Sequence, residues 1–367
     1  MNVGVRRRLP FIATVLTSFL APIATTGFLS SSHSHSCRRS NNNSASSTTG
    51  YMTQLGASNA LDEEISKFCA SAGYQVKSID WAGSSDWASF RKVSLKDTDK
   101  MYFVKTSTRS AKEMFEGEAL GLQAMYECSR QGGDGLAIPN VHHWGDCSAG
   151  SLLIMDFLQL GGRGSEEALG RAMAQLHLAQ PSEANGNPKN AFGFGVDNTI
   201  GGTPQPNPWT EGGTTSDWIE FYSKHRMEHQ IKLAGDKTCA KLWDSDIAPR
   251  LHLLFEGIEV KPSLLHGDLW SGNIGTASGK PSIYDPAVYW GHHEAEWGMS
   301  WCASFGIKFW NGYRELIPQD PGFSDRKPLY DAYHQLNHYN LFGGGYLGSA
   351  QNLLQQVKKK LDAKEKK

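Results

Sequence analysis

The sequence predicts an α+β chain of two lobes, a small antiparallel-sheet N-lobe with one helix and a larger, mainly helical C-lobe. Three observations carry that expectation. Short apolar runs bounded by turn residues fill positions 76–158; helical periodicity takes over after Ser165; and no Asp or Glu occurs before Asp62, which sets an N-terminal head apart from both. The expected division is a targeting presequence and linker over 1–60, an N-lobe over 61–160 and a C-lobe over 161–367. A chain of 367 residues has ample length for two domains.

The head holds Arg6, Arg7, Arg8, Arg38 and Arg39 and no acid, leaving 31 basic against 37 acidic residues in the body. An apolar run from Leu9 to Phe28, broken by hydroxyl residues and two prolines, precedes a Ser- and Asn-rich stretch from Ser30 to Gly50. Such a segment reads as an address and not as part of the fold. Its composition predicts a bipartite plastid presequence, with a single secretory signal as the alternative, and no permanent membrane anchor. The overall charge of −1 excludes the basic footprint of a dedicated nucleic-acid binder. Lys358 to Lys360 and the closing Lys366-Lys367 read as a solvated helix end. Six cysteines without a CxxC pair give neither a disulfide framework nor a zinc site.

The body begins with a helix from Asp62, its Leu61, Ile65, Phe68 and Cys69 at helical spacing and Gly73 as its stop. Strands follow at Val76–Trp81, Ala88–Val93 and Met101–Thr106, the first two joined by the turn Ala82-Gly83-Ser84-Ser85-Asp86. A helix over Ala111–Cys128 carries an apolar stripe of Met114, Phe115, Leu122 and Met125. Strands at Pro139–Trp144 and Ser151–Leu158 lead into a flexible segment, Gly161 to Gly164. Beyond it, Glu166–Leu178 is amphipathic, and a long Gly/Pro/Asn-rich loop, Gln180 to Thr215, exceeds what a mere connector needs. Helices are expected at Asp217–Leu233, capped by Ser216 or Asp217, then at Cys239–Gly257, Glu294–Asn311 and Leu329–Phe342. Short strands and tight turns are expected over Ser263–Ile283.

The chemistry concentrates in Leu264-Leu265-His266-Gly267-Asp268-Leu269-Trp270-Ser271-Gly272-Asn273 and in Tyr284-Asp285-Pro286-Ala287. An Asp ending an apolar strand, an Asn five residues on and a second Asp after the next apolar strand place three oxygen-bearing side chains at one edge. Phosphoryl transfer requires such a set: Asp268 to orient and deprotonate the attacking hydroxyl, Asn273 and Asp285 as hard ligands for Mg²⁺. His266 is expected to brace the loop backbone. Lys105 ends the third strand, and Glu118 in the following helix is its expected partner for orienting nucleotide phosphates. Glu116 competes but lies on another helix face. Asp268 and Asn273 read on their own would pass for turn formers; the joint presence of all five residues argues against that.

On these strings the chain resembles the fructosamine-3-kinase, or ketosamine 3-kinase, family, in its plant, plastid-targeted branch. Met114-Phe115-Glu116-Gly117-Glu118, Phe192-Gly193-Phe194, Asp197-Asn198-Thr199-Ile200-Gly201, Tyr289-Trp290-Gly291-His292 and Leu336-Asn337-His338-Tyr339-Asn340 extend the likeness from about Leu61 to Leu354. The resemblance implies a protein-kinase-like fold, ATP and Mg²⁺ as cofactors, and phosphorylation of the sugar 3-hydroxyl of ketosamines on glycated amines or proteins. The product would then decompose and free the amine, a form of protein repair. It further implies Asp156, Phe157 and Leu158 as the hinge under adenine, and the turn at Ser84 and Ser85 near phosphate. Trp270 becomes a candidate sugar platform, and Asp197, Asn198, Asp217 and Trp218 candidate substrate walls. Two departures matter: the Gly83-Ser84-Ser85-Asp86 turn is glycine-poor and has Ser84 where some relatives carry Cys, and Asp285 precedes Pro286-Ala287 in place of Phe-Gly.

Rival readings are a kinase of the same fold acting on an aminoglycoside, choline or homoserine, and a catalytically silent nucleotide-binding scaffold. Trp270-Ser271 disfavours the first and the intact set of five the second. A metal-hydrolase reading from His292, His293, Glu294 and Glu296 is weaker, because adjacent side chains in an extended segment point apart.

Overall fold

A computed structural model describes residues 47–366, with side chains from Asn59 onward. The presequence expectation falls on residues outside that range. Residues 57–367 form one compact unit, separate from the segment ending at Gly56. No helix among the described residues is long and apolar enough to cross a membrane.

The chain has the protein-kinase-like α+β fold expected of it. Helix α1 (Ser47–Ser71) starts earlier than Asp62, reaching back into the stretch assigned to the linker. Strands β1 (Val76–Ser84), β2 (Ser89–Leu95), β3 (Met101–Ser107), β4 (Val141–Cys147) and β5 (Gly150–Asp156) make one antiparallel sheet, ordered β1-β2-β3-β5-β4. Alternation of side chains across the sheet sends Tyr102, Val104, Leu152 and Ile154 toward Leu61, Ile65 and Cys69 of α1. The opposite face, with Leu153 and Met155, packs on α2 (Lys112–Gln131) through Phe115, Leu122 and Met125. Lys105 pairs with Leu153 in the β3–β5 register, so the same alternation aims it at α2.

Gly161 to Gly164, expected to be flexible, is hydrogen-bonded to the C-lobe. Gly161 N–H donates to the Thr276 carbonyl (2.8 Å), Thr276 Oγ1 donates to the Gly162 carbonyl, and Arg163 donates to Ala303 O (2.6 Å). Helix α3 (Glu166–Leu178) follows with the expected bounds. The long loop contains a hairpin, β6 (Asn198–Ile200) and β7 (Thr203–Gln205).

Three of the expected C-lobe helices are broken. The segment from Asp217 runs as α4 (Thr215–Phe221), a π turn over 222–228 and α5 (His229–Ala234). Its cap is Thr214, whose hydroxyl and the Asp217 carboxylate exchange bonds with each other's backbone N–H, which satisfies two otherwise orphaned donors. The segment from Cys239 divides into α6 (Lys237–Lys241), a π turn and a 3₁₀ turn over 248–255 that contains Pro249 near its start, where proline is tolerated. The segment from Glu294 is a 3₁₀ turn over 293–299, then α7 (Ser300–Ala303) and α8 (Ile307–Arg314). Ser304, at φ +56°, ends α7 in a left-handed conformation. Helix α9 (Phe323–Phe342) packs against α10 (Tyr346–Lys364), of which the sequence reading gave only the solvated end at Lys358 to Lys360.

Strands β8 (Ser263–Leu265) and β11 (Tyr289–Gly291) pair antiparallel, as do β9 (Ile274–Ala277) and β10 (Lys280–Ile283). Between β8 and β9 lies the loop with Asp268; between β10 and β11 lies Asp285.

Candidate active site

Two hairpin-like returns bring the chemistry together. Ala287 N–H donates to the His266 carbonyl (2.9 Å) and Tyr284 N–H to the Asn273 carbonyl (3.3 Å), locking the Asp268 loop to the Asp285 segment. Gly267 makes this crossing possible. Its φ is +79° and a Cβ there would lie 2.1 Å from the Ala287 carbonyl oxygen, so only glycine fits.

His266 braces the loop. Asp268 N–H donates to its Nδ1 (3.2 Å), and its Nε2 lies 3.0 Å from the Tyr284 carbonyl, which together select the neutral Nε2–H tautomer. Burial, outweighing the nearby carboxylates, holds its pKa below the usual value. Glu296 supports the same turn from beneath: one carboxylate oxygen accepts from His266 N–H (2.6 Å), the other from Gly267 N–H (3.1 Å). Burial pushes this carboxyl up, but the His177 hydrogen bond and the N–H donors hold it below its ordinary value. The sequence reading considered Glu296 only for a metal cluster. A buried acid that accepts two backbone donors of the Asp268 turn has no sequence signature except its distance of two positions from Glu294.

Asp268 is partly buried, and burial, reinforced by the charges of Asp285 and Glu296, pushes its carboxyl up to about 7. Asn273 is buried and its Nδ2 donates to the carbonyls of both Asp268 (3.0 Å) and Asp285 (3.2 Å), turning its side-chain oxygen away from them. Trp270 is partly buried, and its ring lies over Gly272, where a Cβ would approach within 2.2 Å.

Lys105 Nζ sits 2.9 Å from Glu118 Oε2 and 2.5 Å from Asp285 Oδ1. Lys105 and Glu118 are buried, whereas the Asp285 side chain is 56% exposed. Burial opposes the Lys105 charge, but Asp285 and Glu118 prevail and raise its pKa. Burial pushes Glu118 up to about 7 against the pull of Lys105. Desolvation also pushes on Asp285, yet Lys105 wins and keeps its carboxyl below the ordinary range. Of the two candidate glutamates, Glu118 is the one at Lys105.

At the sheet edge, the Asp156 carboxylate is held by His142 Nε2 (2.7 Å), and Phe157 N–H donates to Met101 O (3.1 Å). Asp156, Phe157 and Leu158 are all partly buried. Ser84 and Ser85 are exposed; Ser85 Oγ accepts from the N–H groups of Trp87 (3.3 Å) and Ala88 (3.2 Å), closing the turn that glycine would otherwise make.

The expected substrate walls need correction. Trp218 is fully buried among Phe192, Phe221, Tyr222 and Tyr330, so it is core. Asp217 is spent on the Thr214 cap. Asn198 is buried: its Nδ2 donates to Val288 O (2.7 Å), while its Oδ1 accepts from Gln205 (2.8 Å), which also donates to Ala287 O (3.1 Å). Asn198 and Gln205 therefore steady the segment after Asp285 rather than line a substrate. Asp197 is exposed and accepts from Asn207 N–H (2.7 Å).

Potential ligand atoms of His292, His293, Glu294 and Asp320 lie within 4.8 Å of one another. Both Glu294 oxygens bind Arg326 (2.6 and 2.7 Å) and His292 Nδ1 contacts the Tyr330 hydroxyl (2.8 Å), while the buried His292 Nε2 has no hydrogen-bond partner. The His292 and His293 rings lie 4.7 Å apart and do not point away from each other as expected of adjacent side chains, and the Glu294 carboxylate is occupied by its ion pair with Arg326.

Comparison with known proteins points to one family. The sequence profile of a family described as fructosamine kinase matches residues 69–360. A chloroplastic protein-ribulosamine 3-kinase of Oryza sativa subsp. japonica is 42% identical over 87% of this chain and 89% of its own length. Its Arabidopsis thaliana counterpart is 46% identical over 71% and 77%, and the ketosamine-3-kinase of Mus musculus 34% identical over 72% and 90%. Among solved structures, a fructosamine-3-kinase homologue from Haemophilus somnus superposes with a TM-score of 0.65 at 25% identity, covering 80% of this chain and 96% of that one. The chain belongs to the fructosamine kinase family.

Proposed function

We propose that the protein is an ATP-dependent ketosamine 3-kinase that phosphorylates the sugar 3-hydroxyl of ribulosamine or fructosamine adducts on glycated amines and proteins, so that the adduct breaks down and the amine is freed. One observation carries the reading: Asp268, Asn273, Asp285, Lys105 and Glu118, drawn from both lobes, converge in a chain whose relatives are named for this chemistry. In this reading residues 61–160 take the nucleotide and 161–367 the sugar.

Asp268 accepts the proton of the 3-hydroxyl as that oxygen bonds to the γ-phosphorus and the bond to the β-phosphate oxygen breaks, releasing ADP. A carboxyl raised to about 7 is a stronger base near neutrality than an ordinary aspartate. Lys105, oriented by Glu118, holds the α- and β-phosphates. The backbone at Asp156, Phe157 and Leu158 faces adenine, the Ser84-Ser85 turn covers the phosphates, and Trp270 offers its ring to the sugar. The donor set suits Mg²⁺, which favours hard oxygens: the exposed Asp285 carboxylate has one oxygen on Lys105 and one left over, and Asn273 is anchored through its nitrogen with its oxygen spare. Bound there, the ion would offset charge on the β- and γ-phosphates. The chloroplastic relatives and the acid-free head support residence in the plastid.

The direct test supplies protein lacking the head with Mg-ATP and ribulosyl-lysine. Phosphorylated sugar is expected, with Asp268→Asn slower by about 10²-fold or more. Absence of product, or an unchanged rate in the variant, refutes the reading.

A further inference from the structure

Besides Trp81 on β1, the exposed large aromatic residues among those described are Trp87, Trp301 and Phe342, and these three are linked through their neighbours. Trp301 on α7 is 43% exposed and Phe342 at the end of α9 is 48% exposed, and both rings meet His338 (5.3 and 5.7 Å between centroids). Tyr346, the first residue of α10, touches the same imidazole (5.1 Å). Beside Phe342, Leu341 reaches the tip of the β6–β7 hairpin, where a Cβ on Gly201 would lie 3.0 Å from its methyl. The next residue of that tip, Gly202, lies under the ring of Trp87, 2.5 Å from where its Cβ would be. Trp87 is itself 41% exposed and belongs to the turn between β1 and β2. A rim of successive contacts thus runs from the N-lobe turn at Trp87, through Gly202 and Gly201 of the hairpin, Leu341, Phe342 and His338, to Trp301 on α7.

The rim adjoins the reacting group. Helix α7 packs against the Ser271–Asn273 turn, and the Asp268 charge, after burial, helps push the thiol of Cys302, next to Trp301, up to about 12. The α7 and α9 part of the rim is also uncharged in sequence, since no Asp, Glu, Lys or Arg lies between Asp331 and Lys358 or between Glu296 and Lys308, whereas at the N-lobe end the exposed Asp86 precedes Trp87. Exposed apolar area of this kind, continuous with a site, marks an interaction surface.

Resting on the function proposed above, we infer that Trp301, Leu341, Phe342 and Trp87 form a docking rim for polypeptide, receiving apolar side chains that flank the glycated residue of a protein substrate. The sugar 3-hydroxyl must lie at Asp268, so the chain bearing the amine has to leave over the adjoining surface. Its α7 and α9 part, without charge in its own stretches of sequence, selects apolar neighbours and offers no pairing to acidic or basic ones.

The experiment compares three ribulosamine substrates with the full chain and Mg-ATP: free ribulosyl-lysine, a peptide with Phe and Leu flanking the ribulosyl-lysine, and the same peptide with Asp in those places. The apolar peptide should exceed the other two in kcat/KM by about tenfold, through KM, as expected when a few buried aromatic anchors carry binding. Trp301→Ala and Phe342→Asp should each remove most of that preference while leaving turnover of free ribulosyl-lysine within about twofold of wild type. Both side chains are exposed, and a melting curve for each variant verifies the fold. Equal kcat/KM on all three substrates, or variants that retain the preference, overturns the rim. A change from dimer to monomer in Phe342→Asp with kinetics unaltered overturns it too, in favour of self-association. Failure of wild type to phosphorylate any adduct instead refutes the function on which the rim rests.

Discussion

Lys105 and Asp285, 180 positions apart in sequence, share a hydrogen bond of 2.5 Å, and the same ammonium holds Glu118 at 2.9 Å. One cation thereby joins the central strand of the sheet, α2 and the segment after β10. The two carboxylates differ in what they lose without it. Glu118 is buried and would be left alone, whereas the Asp285 side chain is more than half open to solvent. Lys105→Met should abolish phosphoryl transfer and lower stability by about 2 kcal/mol, less than the full cost of orphaning a buried charge because Glu118 can take up a proton. With the counter-charge gone, the loss should deepen as pH rises and Glu118 is forced to ionise. Asp285→Asn should also abolish transfer but barely move the melting temperature. Thermal melts at pH 6 and 8.5 beside a kinase assay separate the two.

Asp268 sets the pH dependence. Its folded carboxyl keeps a proton up to about 7, whereas in the unfolded chain it ionises near 3.9. As a base it must be ionised, so kcat/KM should fall as pH drops below about 7, approaching tenfold per unit. Stability runs the other way. Because the folded state binds the extra proton, its advantage is complete below about pH 4 and is lost as pH rises through 7. Asp268→Asn should therefore be slower by about 10²-fold or more yet melt a few degrees higher than wild type at pH 8, about 1 kcal/mol or more, with no gain at pH 4. Equal melting temperatures at both pH values would count against a raised carboxyl.

Glu296 and Gly267 hold that carboxyl in place. Glu296 accepts the N–H groups of His266 and Gly267, and truncation to Ala orphans both inside the core. Each unsatisfied buried donor costs about 1–3 kcal/mol, so Glu296→Ala should melt well below wild type, with kcat reduced for every substrate and KM little changed. Glu296→Gln keeps one acceptor and should recover part of both. Gly267→Ala pushes a methyl into the Ala287 carbonyl and should separate the Asp268 loop from the Asp285 segment, with loss of activity exceeding loss of stability.

Much of this was legible in the chain because it is local. Alternation puts Lys105 on the α2 face of β3, an apolar strand ends at Asp268, and a five-residue turn returns to Asn273; each follows from pattern and spacing. The misreadings arose where tertiary packing decides. The helix expected over Glu294–Asn311 carries helical periodicity, but Glu294 is drawn to Arg326, Glu296 to the Asp268 turn, and Ser304 turns left-handed. Trp218 looked like a substrate wall beside a cap residue, yet the rings of Phe221 and Tyr222 one turn on and of the distant Phe192 and Tyr330 enclose it. Helix α10 is marked only by Ala350, Leu354, Val357 and Leu361, an apolar stripe among polar residues that its buried face explains.

Asn198 shows how far the two readings diverge, and it can be decided. As a substrate wall, its loss would raise KM for the sugar. Its amide instead donates to Val288 O (2.7 Å) and accepts from Gln205, which donates to Ala287 O and is itself held by the Tyr333 hydroxyl (2.6 Å). This chain ends on the carbonyls just after Asp285, and α2 rests on it, since a Cβ on Gly117 would meet Asn198 Cβ at 2.5 Å. Asn198→Ala removes the amide donor to the buried Val288 carbonyl and one of the two acceptors of the Gln205 amide, at about 1–3 kcal/mol, and loosens both the Asp285 segment and the helix bearing Glu118. The expected outcome is a lower melting temperature and a lower kcat with KM for ribulosyl-lysine nearly unchanged. A rise in that KM at unchanged melting temperature would return Asn198 to the substrate.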